Sequence, residues 1–268
     1  MTGTAGRRVG PGCRPCRTAA APAPWPPPHE REQHSAMDSL GTSQGLAAYD
    51  DRAEPISAVV FDLDGVLVNS FAVMRQAFTT AYAEVVGDGD APFEEYERHL
   101  GRYFPDIMRI MGLPPEMEAP FVRESYRLAH LVPVFDGVPE MLGQLRARGV
   151  GLAVATGKSG PRARSLLEQL GLLHLFTVVI GSDEVRRPKP APDIVLKALG
   201  VLGSDPSRTV MVGDAVTDLA SARDAGVAAV AALWGETDEE TLLAEKPDVV
   251  LRTPAELLEV CFGSARTL

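Results

Sequence analysis

Apolar and polar positions fall in alternating blocks along the chain. Short continuous apolar runs predict buried strands at 56–61, 150–155, 176–181, 209–213 and 228–233, with a weaker one at 248–251. Between them, apolar residues recur at helical spacing near 138–148, 161–171, 191–201, 216–225 and 254–261. Pro139 and Pro161 fall where a first helical turn tolerates proline. Gly149, Gly171 and Gly226 follow helical stretches as C-terminal stops. Such alternation predicts an α/β fold with a parallel sheet and helices on both faces.

The interval 70–136 breaks this rhythm. It is helical in pattern near 71–86, 93–100, 104–111 and 116–130, with no convincing strand. It is far longer than one crossover needs. The expected organisation is therefore a core built from 56–70 and 137–268, with 71–136 as a helical insertion over the carboxyl edge of the sheet. Loops at that edge commonly carry function. A helical subdomain packed elsewhere is the plainer alternative. Residues 1–55 are rich in Pro, Ala, Gly and Arg and include Pro26-Pro27-Pro28, a composition expected to stay disordered. Translation starting at Met37 would make 1–36 an upstream extension.

Composition narrows the function. Of 268 residues, 45% are hydrophobic, enough for a sizeable core, and the net charge is −10. That charge argues against general affinity for nucleic acid, which needs Lys and Arg to neutralise phosphates. No apolar run approaches a membrane span. Arg7-Arg8 has no apolar segment behind it and does not read as an export signal. Cys13 and Cys16 form a C-x-x-C without the second pair that a zinc ribbon needs, and Cys261 is distant. The chain reads as cytoplasmic and reduced.

The chemistry gathers at the strand ends. The first apolar run stops at Asp62-Leu63-Asp64-Gly65. Side chains alternate along a strand, so the two carboxylates are expected to lean the same way. Like charges this close repel unless a cation intervenes. The arrangement suits a divalent metal with a phosphate ligand, or a nucleophile beside a proton donor; a polar loop after an edge strand is the bland reading. The second run ends in Thr156-Gly157-Lys158-Ser159 before a helix, a hydroxyl followed by anion-binding N–H groups. A P-loop would need glycine at 152, which is leucine. After the third run, Pro188-Lys189-Pro190-Ala191-Pro192 presents one lysine on a stiff support, although such loops also serve plain turns. The fourth run ends in Asp214, with Asp218 one helical turn on; Asp218 could equally be a first-turn acid favoured by the helix dipole.

Taken in order, Asp-x-Asp, Thr, Lys and Asp-x-x-x-Asp resemble the motifs of the haloacid dehalogenase superfamily, in the subgroup with a helical cap after the first strand. The resemblance covers about 56–262. A response-regulator receiver also has acids, Thr and Lys, but in another order and without a cap. The resemblance implies a Rossmann-like doubly wound core and a Mg²⁺-dependent phosphatase acting on a small phosphorylated metabolite. It implies Asp62 as nucleophile and Asp64 as acid and then base. Thr156, Lys158, Lys189 and the backbone near Gly65 and Gly157 would hold phosphoryl oxygens. Mg²⁺ would take Asp62, Asp214, the Asp64 carbonyl and Asp218 through water. Arg102, in a cap loop between glycine and proline, would grip the rest of the substrate, or would be a snorkelling surface cation. Val66 and Asn69 depart from the residues of many relatives, Thr and Asp, at positions outside the implied catalytic set.

Three further runs look like the phosphatases associated with 3-amino-5-hydroxybenzoic acid synthesis: Phe71-Ala72-Val73-Met74, His99 to Met108, and Ala155 to Arg162. They imply a sugar or aminosugar phosphate and a place in antibiotic biosynthesis. Phosphoglycolate phosphatase, a sugar phosphomutase and a non-catalytic pathway partner are the alternatives. Oligomeric state is not legible.

Overall fold

The computed structural model describes residues 55–87 and 89–263 together with Met1. The Pro-rich segment, with Cys13, Cys16 and Met37, lies outside the described residues. Each apolar run forms a strand: β1 Ala58–Phe61, β2 Gly151–Thr156, β3 Val178–Gly181, β4 Thr209–Gly213, β5 Ala228–Ala232 and β6 Val249–Leu251. All pair in parallel, in the order β3-β2-β1-β4-β5-β6. The chain thus starts in the middle of the sheet, winds outward one way, and returns to wind the other. The reversal falls between β1 and β4, the kind of crevice where open α/β sheets bind ligands.

Both faces of the sheet are covered, which is why its strands are apolar throughout. Successive side chains point to opposite faces. Val59 and Phe61 join one cluster with Leu142, Leu167 and Leu257. These leucines come from α5 Val138–Ala147, α6 Gly160–Gln169 and α10 Glu256–Phe262. Val60 joins the other cluster with Ile194, Leu219 and Leu242. Those come from α7 Asp193–Leu202, α8 Val216–Asp224 and α9 Glu239–Ala244.

Between β1 and α5 run four helices, α1 Phe71–Val85, α2 Phe93–Glu97, α3 Phe104–Met111 and α4 Glu118–Leu128. They bury an aromatic cluster of their own, in which Phe104 and Phe121 stack with centroids 3.9 Å apart and Tyr96 lies 4.6 Å from Phe78. The two segments joining these helices to the sheet hydrogen-bond to each other. Asn69 N–H donates to Pro133 O at 2.9 Å and Phe135 N–H to Leu67 O at 3.2 Å.

Three local details differ from the sequence pattern. The stretch 116–130 is not one helix: a 3₁₀ turn, Pro115–Met117, precedes α4, and another, Ala129–Leu131, follows it. Pro120 sits in the first turn of α4, where its missing N–H costs little. The stretch 93–100 is helical only over Phe93–Glu97; residues 98–100 continue as turns into Gly101, with φ +81°. Helix α9 has no counterpart in the pattern; it is six residues long and buries only Leu242.

Candidate active site

Sheet register brings the strand ends together. Phe61 lies opposite Val154 on one side and Val212 on the other. Asp62, Thr156 and Asp214 therefore emerge at one edge. Asp62 N–H still donates to Val212 O at 2.9 Å, so the first aspartate is held in the sheet's own ladder. Beyond it the chain turns sharply. Gly65 has φ +81°, and a Cβ there would stand 1.9 Å from Asp214 Oδ2. Glycine is needed at 65 for both reasons.

Asp62, Asp214 and Asp218 are buried, and one oxygen of each lies within 4.8 Å of the others. Lys189 is the cation among them. Its Nζ lies 3.0 Å from Asp62 Oδ1, 2.5 Å from Asp218 Oδ1 and 3.1 Å from Ala155 O. These three neighbours engage the whole ammonium. Burial alone would lower the Lys189 pKa, but Asp218 and Asp62 outweigh it and hold it above its ordinary value. Asp218 is divided in role: Oδ1 meets Lys189, and Oδ2 accepts the Ala215 N–H at 3.1 Å. The first-turn acid and the site acid are the same residue.

Three carboxylates against one ammonium leave a buried excess of negative charge. Burial, followed by Asp218 and Asp64 against the pull of Lys189, pushes Asp62 up to about 7. Burial, Asp218 and Asp62 push Asp214 well above the carboxylate range. Asp62 Oδ1 has Lys189 Nζ at 3.0 Å as its counter-charge. Three buried carboxylates converging with a single ammonium among them form an all-oxygen set that fits a hard divalent cation, which would reverse both shifts.

Asp64 does not share these partners. Strand geometry ends at Phe61, so the expected common lean of Asp62 and Asp64 is replaced by two environments facing one cavity. Asp64 Oδ2 lies 3.1 Å from Lys158 Nζ, and its Oδ1 accepts the Ser70 hydroxyl. Burial raises its pKa, but Lys158 and Ser70 outweigh burial and hold the carboxyl below its usual range. Burial lowers Lys158 despite Asp64.

The cavity itself is lined by Asp62, Asp64, Gly65, Arg102, Gly157, Lys158 and Asp214 from the predicted set. Thr156, Lys189 and Asp218 are buried behind this lining. Thr156 Oγ1 accepts the Lys158 N–H at 3.2 Å, so it shapes the loop that carries the lysine. The four helices supply the opposite wall through Phe71, Met74, Tyr96, Phe104 and Phe121. The wall sits close on the core at two glycines: a Cβ on Gly157 would lie 2.6 Å from the backbone Gly101 O, and one on Gly101 would lie 2.3 Å from the side-chain Thr217 Oγ1.

Four polar lining residues, Ser70, Tyr96, Arg162 and Glu236, are not among the site residues that the sequence suggests. Arg162 had a legible signal. It sits in the first turn of α6, the end of a helix where a cation is electrostatically disfavoured.

Replacing Lys189 tests the charge balance. Lys189→Ala is expected to lower kcat by about 10²–10³-fold, the scale of one lost charge stabiliser. It should also destabilise the metal-free fold by about 3–5 kcal/mol, because buried carboxylates lose their counter-charge. Thermal melting and steady-state phosphate release check both; a change below about threefold in kcat would make Lys189 purely structural.

The family model for haloacid dehalogenase-like hydrolases matches residues 59–232. The probable phosphatase IndB of Dickeya dadantii is 36% identical over 224 residues, covering 78% of this chain and 94% of that protein. A phosphoglycolate phosphatase of Chromobacterium violaceum is 35% identical over 217 residues, covering 76% and 96%. The crystal structure of CbbY from Rhodobacter sphaeroides in complex with phosphate superposes with a TM-score of 0.67 at 25% identity, covering 77% and 99%. With the parallel sheet, its order and the acidic strand ends in agreement, the chain belongs to the haloacid dehalogenase-like hydrolase family.

Proposed function

We propose that this phosphatase hydrolyses a small phosphomonoester in two displacements at Asp62, with Asp64 moving the protons and Mg²⁺ as cofactor. The observation that carries this reading is the separation of the two aspartates into unlike environments. One is packed with further carboxylates and a lysine; the other is paired with Lys158 and Ser70 at the cavity wall. Two carboxyl groups held differently can do different work.

In the first displacement an Asp62 oxygen attacks phosphorus and the ester P–O bond breaks. The leaving oxygen takes its proton from Asp64. In the second, Asp64 takes a proton from water, the water oxygen attacks phosphorus, and the bond to Asp62 breaks to release inorganic phosphate. Asp64 is ionised while Lys158 faces it. A phosphoryl group arriving beside Lys158 competes for that ammonium, and Asp64 then gains proton affinity, as an acid must. Lys189 holds Asp62 in place and limits its repulsion from Asp218. Mg²⁺ would be held by Asp62, Asp214 and the Asp64 carbonyl, with Asp218 through water, and would neutralise charge on the phosphoryl group. The helices 71–136 serve as the cap, with Arg102 at the cavity wall.

Two classes of leaving group compete. The runs like those of phosphatases in 3-amino-5-hydroxybenzoic acid synthesis favour a sugar or aminosugar phosphate. Phe71, Met74, Arg102, Phe104, Lys158 and Arg162, all within those runs, line the cavity. The Chromobacterium relative favours a phosphorylated hydroxy acid such as phosphoglycolate. Phosphate release with Mg²⁺ across sugar, aminosugar and hydroxy-acid phosphates tests the reading. Release from at least one class is expected. Isomer formation without release would make the protein a mutase, and neither would remove the proposal.

A further inference from the structure

Arg162 is a buried guanidinium that lines the catalytic cavity. It also lines a second cavity, bounded by Ser125, Tyr126, Val132, Ser165 and Leu166. The side chain therefore has open space on two sides and is not there to fill volume. Its Nη2 donates to Ser125 Oγ at 2.9 Å, and its carbon Cζ lies 5.0 Å from the Phe121 ring centroid. Among the described residues no carboxylate lies within ion-pair distance of it. Every other buried cation of the cavity is matched: Lys158 by Asp64, Lys189 by Asp62 and Asp218.

Burial outweighs the pull of Asp64, already paired with Lys158, and of Glu118, which act on Arg162 only through space. A buried charge without an ion pair of its own is destabilising, and the usual compensation is a partner. Its position at the start of α6 makes matters worse for a cation. What the fold leaves unmatched, a ligand can match. A guanidinium is a planar fork suited to two oxygens of one anion, a carboxylate or a phosphate; with the phosphoryl group assigned to Asp62, a carboxylate is the anion left for it.

We propose that Arg162 is a specificity-determining residue that grips a carboxylate on the leaving group, and that the natural substrate is a phosphorylated hydroxy acid or sugar acid. The inference rests on the phosphatase reading and selects among its substrates. The phosphoryl group lies over Asp62, and the carboxylate reaches across the cavity to α6. A neutral sugar phosphate leaves the fork unmatched, and an aminosugar sets an ammonium against it.

The test uses matched pairs that differ only in a carboxylate: 2-phosphoglycolate against 2-hydroxyethyl phosphate, and 3-phosphoglycerate against glycerol 1-phosphate. With Mg²⁺, the unmodified protein is expected to favour the carboxylate member by about tenfold or more in kcat/KM. Arg162→Met should lower kcat/KM for the carboxylate member about tenfold or more beyond its loss on the neutral one, through KM. Arg162→Lys, which keeps the charge and lacks the fork, should fall between, and serves if the methionine variant does not fold. No preference in the unmodified protein, or equal losses on both members, would overturn the inference and make Arg162 a tie between α6 and α4. Hydrolysis of neither pair nor of any sugar phosphate would remove the phosphatase reading itself, and this inference with it.

Discussion

Asp62→Asn is expected to lose turnover by about 10⁴-fold or more in kcat, the scale seen when a covalent nucleophile is removed, yet to melt no lower than the parent in metal-free buffer. The two halves of this result have one origin. Asp62 is one of three buried carboxylates facing a single lysine, and its pKa is pushed up to about 7. Asparagine keeps the shape and removes a charge that the metal-free fold holds at a disadvantage. Lys189 keeps Asp218 and Ala155 O as neighbours, so no cation is orphaned. Calorimetric melting beside phosphate release reads both. Turnover above about 1% of the parent, with unchanged circular dichroism, would remove Asp62 as nucleophile.

Chelation should abolish activity, and its effect on stability should depend on pH in a defined direction. Asp62 is raised from 3.8 to about 7 in the fold, and Asp214 is raised as well. A raised carboxyl favours the fold while protonated. That contribution is complete below about pH 4 and is lost as pH rises through about 7. Asp64 acts oppositely, being lowered, but its effect falls at the acid end, below its ordinary value. Lys189 is raised from an already high value and changes nothing in this window. Metal-free protein should therefore melt progressively lower between about pH 5 and 7.5. Mg²⁺ at saturating concentration should restore both activity and melting temperature, and the gap between the two conditions should widen with pH. A gap independent of pH would show that the cation does not bind these carboxylates.

How far the sequence reveals this site depends on the kind of information each part needs. Buried parallel strands are continuous apolar runs, so β1 to β6 were legible to within about two residues. The acids at their ends were legible because a buried strand rarely delivers charge without use. Helix α9 was not, since six residues with only Leu242 buried cannot display a period; its cap, Asp238 accepting the Thr241 N–H at 2.9 Å, was the one available sign. Partnerships were hidden for another reason. Lys158 meets Asp64, and Arg162 meets Ser125, across long stretches of chain, and no local pattern encodes a distance through space. Thr156 shows the converse: its place in the motif was plain, but its burial behind the cavity lining, under the Lys158 N–H, required coordinates.

The contact of Gly101 with Gly157 has a consequence for how such a protein changes over evolutionary time. The four helices meet the sheet edge there through main-chain atoms, with Gly101 O and Arg102 O facing Gly157 and no side chain between. The side chains of Phe71, Met74 and Phe104 line the cavity elsewhere on the wall. Seating and cavity lining are thus encoded at separate positions. Wall residues can be exchanged without altering how the helices sit, whereas a single methyl group at 157 would hold the two parts apart whatever the substrate. Diversification is left open at one set of sites and closed at the other.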